Sequence, residues 1–316
     1  MDAHRHPPLI ALVGQTATGK SALAIKLCQA IGGEIVTADS RQVYRYMDIG
    51  TDKPPIEERG GVPHHMIDLV DPDEPYTLAL YQSGAYQVIE DIISRGKLPV
   101  LAGGTPLYLN AVLEGWTIPR VEPDLALREE LEREAEAVGS LVLHERLRSL
   151  DPNAAAKILP SNTRRIVRAL EVIAITGQPI SAQQSKEPPS YRTLIIGLSA
   201  PREQIYSRID ARVRREVDDG LVEEVAALHE CGYSFDLRSM SGLGYRQIAK
   251  YLQGQATLPE AIQRIKWDTH AFARHQGNWF RRLQTAHWLD VSNADPYPEA
   301  VALVRHFLDG LVDNKS

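Results

Sequence analysis

Residues 9–21 read LIALVGQTATGKS, a short apolar run that enters the pattern G-x-x-x-x-G-K-[ST] from Gly14 to Ser21. The helical stretch ALAIKLCQAIGG follows directly, which supplies the strand–loop–helix context this pattern needs. Gly14 and Gly19 permit the backbone angles that turn successive N–H groups inward, and Gln15, Thr16, Ala17 and Thr18 between them supply those groups. Lys20 adds a cation, Ser21 a hydroxyl suited to Mg²⁺, and the helix start the positive end of its dipole. A di- or triphosphate is the natural ligand.

Outward from this loop, β-type apolar runs recur at 34–37, 98–102 and 193–198, with a fainter one at 287–291 and helical patterns between several of them. The alternation predicts an α/β fold, a P-loop nucleoside-triphosphate-hydrolase-like parallel sheet flanked by helices. Residues 103–192 hold no β-type run but carry helical patterns such as DLALREELEREAEAVG, SLVLHERLRSL and NTRRIVRALEVIAITG. A helical insertion domain is expected over 119–190, set into a catalytic core formed by 1–118 and 191–316. Pro119 and Pro123 on one side and QQSKEPPS on the other are loop chemistry for its borders.

Composition narrows the class. The chain has 316 residues, 43% apolar and 24% charged, which excludes disorder, collagen and coiled coil. Cys28 and Cys231 are its only cysteines, so a disulfide framework and a Cys-rich zinc site are excluded and a reducing cytoplasm fits. No apolar run approaches the ~20 residues of a membrane span. The leading MDAHRHPP, followed by a short run that meets Gly14, does not read as a signal peptide. His64 and His65 are adjacent on an extended segment and point opposite ways, so they are not expected to share a metal. Lys and Arg number 35 against 41 Asp and Glu, a net of −6 that argues at first against a nucleic-acid partner. The acids, however, concentrate in REELEREAE and VDDGLVEEV, apart from the basic stretches, and a polyanion senses distribution rather than sum.

The third apolar run ends LPVLAGGT, without the Asp that an ordinary P-loop kinase places there for Mg²⁺. A carboxylate stands instead after the second run, in EIVTADSRQ, where Asp39 falls at the carboxyl edge of the sheet. From residues alone Asp39-x-x-Gln42 is equally a capping box, and Thr105 before Pro106 equally a helix N-cap. In REQIYSRIDARVRREV, Ile205, Ile209, Val213 and Val217 recur every fourth residue while Arg208, Arg212 and Arg215 take another face, a solvated face or an anion site. Lys266, His270, Arg274 and Arg281, interleaved with Trp267, Trp279 and Phe280, read as an RNA-facing surface.

Taken together, GQTATGKS, DSRQVYRYMDIGTDKP, VPHHMIDLVDPDEPYT, LAGGTPLYLNAVLEG, NTRRIVRALEV, GLGYRQIAKYL and WFRR closely resemble the bacterial tRNA dimethylallyltransferases, also called tRNA isopentenyltransferases. The resemblance implies transfer of a prenyl group from dimethylallyl diphosphate to N6 of adenosine 37 in the anticodon stem-loop of tRNAs reading codons that begin with U. It implies Mg²⁺ as cofactor and a soluble cytoplasmic monomer with no membrane partner. By the same resemblance Asp39 is the general base, Thr16 faces the diphosphate, Thr105 faces tRNA or the transferring group, and Arg212 is a diphosphate ligand. Ser40, Arg41 and Gln42, with Asp39, are then expected to read the adenine. Arg128, Arg164, Arg165, Arg168, Lys266, Arg274 and Arg281 are expected to meet tRNA. Gln15 and Thr18 stand where Pro and Ser are common in the family, and His270 and His275 where Arg or Lys is common, which would make local positive charge pH-dependent. The longer eukaryotic members carry a zinc-finger tail that has no counterpart here.

Two other readings share the loop: a small-molecule P-loop kinase, which leaves DSRQ and the basic stretches unexplained, and a nucleotide-switched RNA-binding protein, for which no base-selective motif is present.

Overall fold

The computed structural model describes residues 6–119, 121–122 and 124–310; residues 1–5 of the MDAHRHPP segment and the border residue Pro123 lie outside the described residues. Each of the five apolar runs forms a strand: β1 (Pro8–Gly14), β2 (Gly33–Thr37), β4 (Leu98–Gly103), β5 (Arg192–Ser199) and β6 (His287–Asp290). The sequence pattern missed β3 (His64–His65), a short edge strand whose His65 Nε2 lies 2.7 Å from Glu34 Oε2 on β2. Every pairing is parallel, in the order β3-β2-β4-β1-β5-β6.

Burial on both faces explains why the runs read as continuous rather than alternating. Along β1, Leu9, Ala11 and Val13 enter one apolar cluster with α2 (Leu78–Ser94), α3 (Pro106–Leu113), α8 (Arg202–Asp218) and α11 (Leu258–Phe280). Ile10 and Leu12 enter the other, with α1 (Lys20–Ile31) and α12 (Tyr297–Asp309). On α8 the predicted stripe packs inward, Ile205, Ile209 and Val213 being buried. The helices α9 (Leu221–Glu230) and α10 (Tyr245–Leu252) also belong to this unit, which comprises Met1–Leu113 and Ser190–Ser316. Register places Val13 beside Gly103 and Gly14 beside Leu198, and Thr37 beside Ala102, so the carboxyl ends of β1, β2, β4 and β5 open onto one edge. Among the described residues no helix is long and apolar enough to cross a membrane.

The second unit is Glu114–Pro189 and contains α4 (Leu125–Val138), α5 (Ser140–Leu150), α6 (Pro152–Ala155) and α7 (Thr163–Thr176). It begins at Glu114 rather than at Pro119 because its two border segments pair with each other: Trp116 bridges Lys186, and Glu187 N donates to Gly115 O at 2.8 Å. Leu131, Leu143, Leu147, Ile166 and Leu170 form its core. Within that core Glu171 is fully buried and accepts from Arg128 Nε (2.8 Å), Arg128 Nη2 (2.9 Å), Arg168 Nη1 (2.6 Å) and Asp124 N (2.9 Å). Burial opposes ionisation of Glu171, but the two guanidiniums outweigh it and hold the carboxyl below its usual range. Arg128 and Arg168, expected from the sequence to meet tRNA, thus have their guanidiniums engaged inside the domain. Arg164 and Arg165 are exposed at the start of α7.

Removing the carboxylate leaves two guanidiniums without their counter-charge. Glu171→Ala is therefore expected to destabilise the helical unit by about 3 to 5 kcal/mol. Urea unfolding followed by circular dichroism measures this; a change within experimental error contradicts the clamp.

Candidate active site

The phosphate loop is closed by its own side chains. Thr18 Oγ1 and Lys20 Nζ both donate to Gln15 O, at 2.8 and 2.7 Å. Gly14 (φ 151°) leaves β1 where a Cβ would stand 2.7 Å from Leu198 O, so only glycine fits between the loop and β5. Gly19 at φ 85° turns the chain into α1. Thr16 N is taken by Gln276 Oε1 at 2.8 Å, so the inward N–H groups left for an anion start at Ala17. Gln15 turns its side chain away from the loop, donating to Ala273 O at 2.7 Å on α11. Loss of solvent around Lys20, reinforced by the nearby Arg212 charge, lowers its ammonium pKa to about 8, although Asp39 and Asp52 oppose the shift.

Asp39 follows β2, where no helix forms. Its Oδ1 accepts from Arg41 N at 2.8 Å, a turn two residues on, so the capping-box alternative does not describe it. The residues around it are tied to the loop after β4: Ala38 N donates to Ala102 O (2.8 Å), Thr105 N to Ala38 O (3.1 Å) and Ser40 N to Thr105 Oγ1 (3.0 Å). Thr105 precedes α3 as the N-cap alternative requires, yet its hydroxyl serves Ser40. Gly103 is needed because a Cβ there would overlap the Ala38 carbonyl. Tyr81 and Tyr108 stack beneath at 3.7 Å, with Tyr81 OH donating to Thr37 O at 3.0 Å.

Two of the residues expected to read a base are spent on the protein. Gln42 is buried and its Nε2 donates to Thr51 O (3.0 Å) and Asp52 O (3.2 Å). Arg41 Nη1 donates to Arg238 O (2.8 Å) and Ser239 O (3.1 Å), which ties DSRQ to the segment before GLGYR.

Arg212 is brought to the loop from α8. Its Nη1 donates to Thr16 Oγ1 at 2.9 Å and to Asp52 Oδ2 at 3.1 Å, while Nε lies 3.1 Å from Glu216 Oε1. Burial pushes the Glu216 carboxyl up to about 7. Asp52 is held through its own loop: Glu224 accepts from Asp48 N (2.9 Å) and Ile49 N (2.8 Å), Tyr245 OH donates to Glu224 Oε1 (2.6 Å), and the buried Lys53 ammonium meets Asp48 and Asp68 at 2.6 and 2.5 Å. The sequence reading missed Asp52, Glu216, Glu224 and Gln276. Of these only Glu216 carried a local signal, standing four residues after Arg212 on a helix.

On α11, Arg274 Nη1 donates to Tyr206 OH at 2.7 Å and Lys266 is half-buried; just past its end, exposed Arg281 donates from Nη2 to Asn278. His270 stacks on Tyr206 at 4.0 Å and lies 2.8 Å from Asp210 Oδ1, so it faces the protein rather than the surface expected for it. Among the described residues no three His, Cys, Asp or Glu side chains gather into a metal cage. The exposed Ser21 at the start of α1 fits a Mg²⁺ ion that carries phosphate and water oxygens and takes a single protein hydroxyl.

The IPP transferase family profile matches residues 42–283, and the isopentenyl transferase profile residues 7–67. The chain belongs to the IPP transferase family. It is 55% identical over 302 residues to the tRNA dimethylallyltransferase of Roseiflexus sp. (strain RS-1), covering 96% of this chain and 99% of that one. The enzyme of Thermomicrobium roseum is 52% identical, over 94% and 90% of the two chains. The tRNA isopentenylpyrophosphate transferase of Bacillus halodurans superposes with a TM-score of 0.71 at 39% identity, over 98% and 97%. A eukaryotic dimethylallyltransferase studied acting on tRNA gives 0.81 at 28%, over 96% and 80%. Family membership supports the P-loop fold and a prenyl-transferring enzyme, and sets aside the kinase and nucleotide-switch readings.

Because Lys20 is cationic only below its pKa of about 8, affinity for inorganic diphosphate is expected to hold below that pH and weaken above it. The fall approaches about tenfold per pH unit. Isothermal calorimetry across this range, with Lys20→Met correcting for ionisation of the probe, reads the effect; identical pH profiles for the two proteins contradict it.

Proposed function

We propose that this protein transfers the dimethylallyl group from dimethylallyl diphosphate to N6 of adenosine 37, beside the anticodon of tRNAs reading codons that begin with U, acting as a cytoplasmic monomer. The observation that carries the reading is a single sheet edge bearing both an anion cradle and a carboxylate. There Arg212 meets Thr16 of the phosphate loop at 2.9 Å, and Asp39 lies within electrostatic reach of Lys20.

The N–H groups from Ala17 to Ser21, Lys20 and Arg212 stabilise the negative charge that builds on the departing diphosphate oxygen. Magnesium, held by Ser21, would supply further neutralisation of that charge. Extruding the adenine from its stack costs a few kcal/mol. As carbon C1 leaves oxygen, N6 bonds to it and gives its proton to Asp39, whose carboxylate is aimed by Arg41 N and the Ser40–Thr105 tie. Thr105 faces the adenine side and Thr16 the diphosphate side. Arg165 and Arg164 on the helical unit, and Lys266, Arg274 and Arg281 on the core unit, supply charge to the tRNA backbone. Arg128 and Arg168 act through Glu171, which fixes the helix that carries Arg164 and Arg165.

Incubation of unmodified tRNA with dimethylallyl diphosphate and Mg²⁺, followed by mass spectrometry, is expected to place one prenyl group on adenosine 37. Asp39→Asn, which keeps the acceptor for Arg41 N, is expected to bind tRNA normally and transfer roughly 10²- to 10⁴-fold more slowly. No prenyl group on tRNA, with rapid phosphate release from ATP, overturns the assignment. Log affinity for tRNA should fall against log salt by roughly 0.7 to 0.9 per phosphate contacted. Arg165→Ala should flatten that slope by about one contact, and a slope that does not change removes Arg165 from the interface.

A further inference from the structure

Gln276 is 2% exposed, and both ends of its amide are used. Oε1 accepts from Thr16 N at 2.8 Å and Nε2 donates to Gly104 O at 2.6 Å. Its partners are two irregular loops, one carrying Thr16, whose hydroxyl receives Arg212, and one carrying Thr105, whose hydroxyl receives the backbone beside Asp39. A planar amide has one donor end and one acceptor end, so the bridge has a fixed length and a single orientation. The fit is close on both sides. A Cβ on Gly104 would stand 2.8 Å from Gln276 Nε2, and one on Gly277 would stand 3.0 Å from Gln15 Nε2, so α11 presses on the phosphate loop without slack.

We propose that Gln276 is a positioning residue that sets the gap between the phosphate loop and the Gly103–Thr105 loop, and thereby decides whether the allylic carbon is captured by N6 or by water. The inference rests on the prenyl-transfer reading above. In transfer, the C1–O bond breaks with its electron pair leaving on diphosphate, the C1–N6 bond forms, and the N6 proton passes to Asp39. If the gap widens, the same C1–O bond breaks but a solvent water supplies the oxygen. A new C1–O bond forms, the water passes one proton to Asp39 or to solvent, and dimethylallyl alcohol and diphosphate result. A nucleophile displaced by about 1 Å loses on the order of 10² in rate, which gives water its chance.

The test uses labelled dimethylallyl diphosphate, Mg²⁺ and saturating tRNA, and counts alcohol formed per prenyl group transferred. Gln276→Met removes both hydrogen bonds at similar volume, and Gln276→Glu keeps the acceptor for Thr16 N but loses the donor to Gly104 O. For both variants the alcohol-to-transfer ratio is expected to rise at least about tenfold, with kcat for transfer falling by roughly 10²; KM for the diphosphate changes little in Gln276→Met and rises in Gln276→Glu, whose carboxylate stands against the phosphate loop. The ratio is read per turnover and does not depend on how much protein is folded. An unchanged ratio, whatever happens to kcat or to the melting temperature, overturns the proposal and leaves Gln276 a packing residue. If wild-type protein transfers no prenyl group at all, the prenyl-transfer reading fails instead.

Discussion

Backbone meets backbone with no room for a side chain at the carboxyl edge of the sheet, and the rest of the site depends on that closeness. Gly14 passes Leu198 O and Gly103 passes Ala38 O at distances that a Cβ would violate. Parallel strands make the approach possible, since β1, β2, β4 and β5 all end on the same side. Once the strand ends touch, the loops after β1, β2 and β4 have to share space. Short bonds between Ala38, Ala102, Ser40 and Thr105 then fix Asp39 without any helix to carry it. Bulk at either glycine would part these loops before it disturbed the core beneath them.

Charge at this edge is arranged before any ligand arrives. Arg212 is shared by Thr16, Asp52 and Glu216, and Lys20 lies within the field of Asp39 and Asp52. Two cations in a partly desolvated loop would repel each other and the fold, and the facing acids moderate that cost. The acids are themselves built in: Asp52 stands on a loop whose N–H groups are held by Glu224 and whose Lys53 is buried between Asp48 and Asp68. Arg212 is thus held at the loop by Thr16 and Asp52 rather than left free in solvent. The motifs around Asp48 and Tyr245, remote from the loop in sequence, acquire their purpose here as supports of one counter-ion.

The sheet was legible because buried parallel strands leave unbroken apolar runs, and the phosphate loop because its glycines and Lys20 have to stand at fixed spacing. The extended His64–His65 segment carries no signal of sheet pairing, because two residues against a single edge have no periodicity. The side-chain bridge from Gln276 to Thr16 spans 260 positions, and no local pattern encodes such a contact. A guanidinium at a helix start has the same sequence signature whether it faces solvent or a buried carboxylate, and Arg168 was separable only by Glu171 three residues later on the same face. The expectation for Asp39 was ambiguous in sequence for a physical reason: a carboxylate that accepts a nearby backbone N–H serves a helix cap and a turn equally well, and only the chain beyond it distinguishes the two.

That distinction among arginines also settles how an acidic chain presents positive charge. Arg128 and Arg168 share the single negative charge of Glu171, which cancels about half of their combined field at distance. Arg41 and Arg274 are held instead by neutral acceptors, the carbonyls of Arg238 and Ser239 and the hydroxyl of Tyr206, so their positions are fixed while their charge is not compensated by those bonds. A cation anchored by neutral groups loses little side-chain freedom when a phosphate approaches, whereas one anchored by a carboxylate must first part with it. The net of −6 therefore says little about docking on an anion. What governs docking is how many cations are both held in place and left charged, and on the core unit Arg41 of DSRQ and Arg274 of α11 are two of these, on the segments that also carry Asp39 and Gln276.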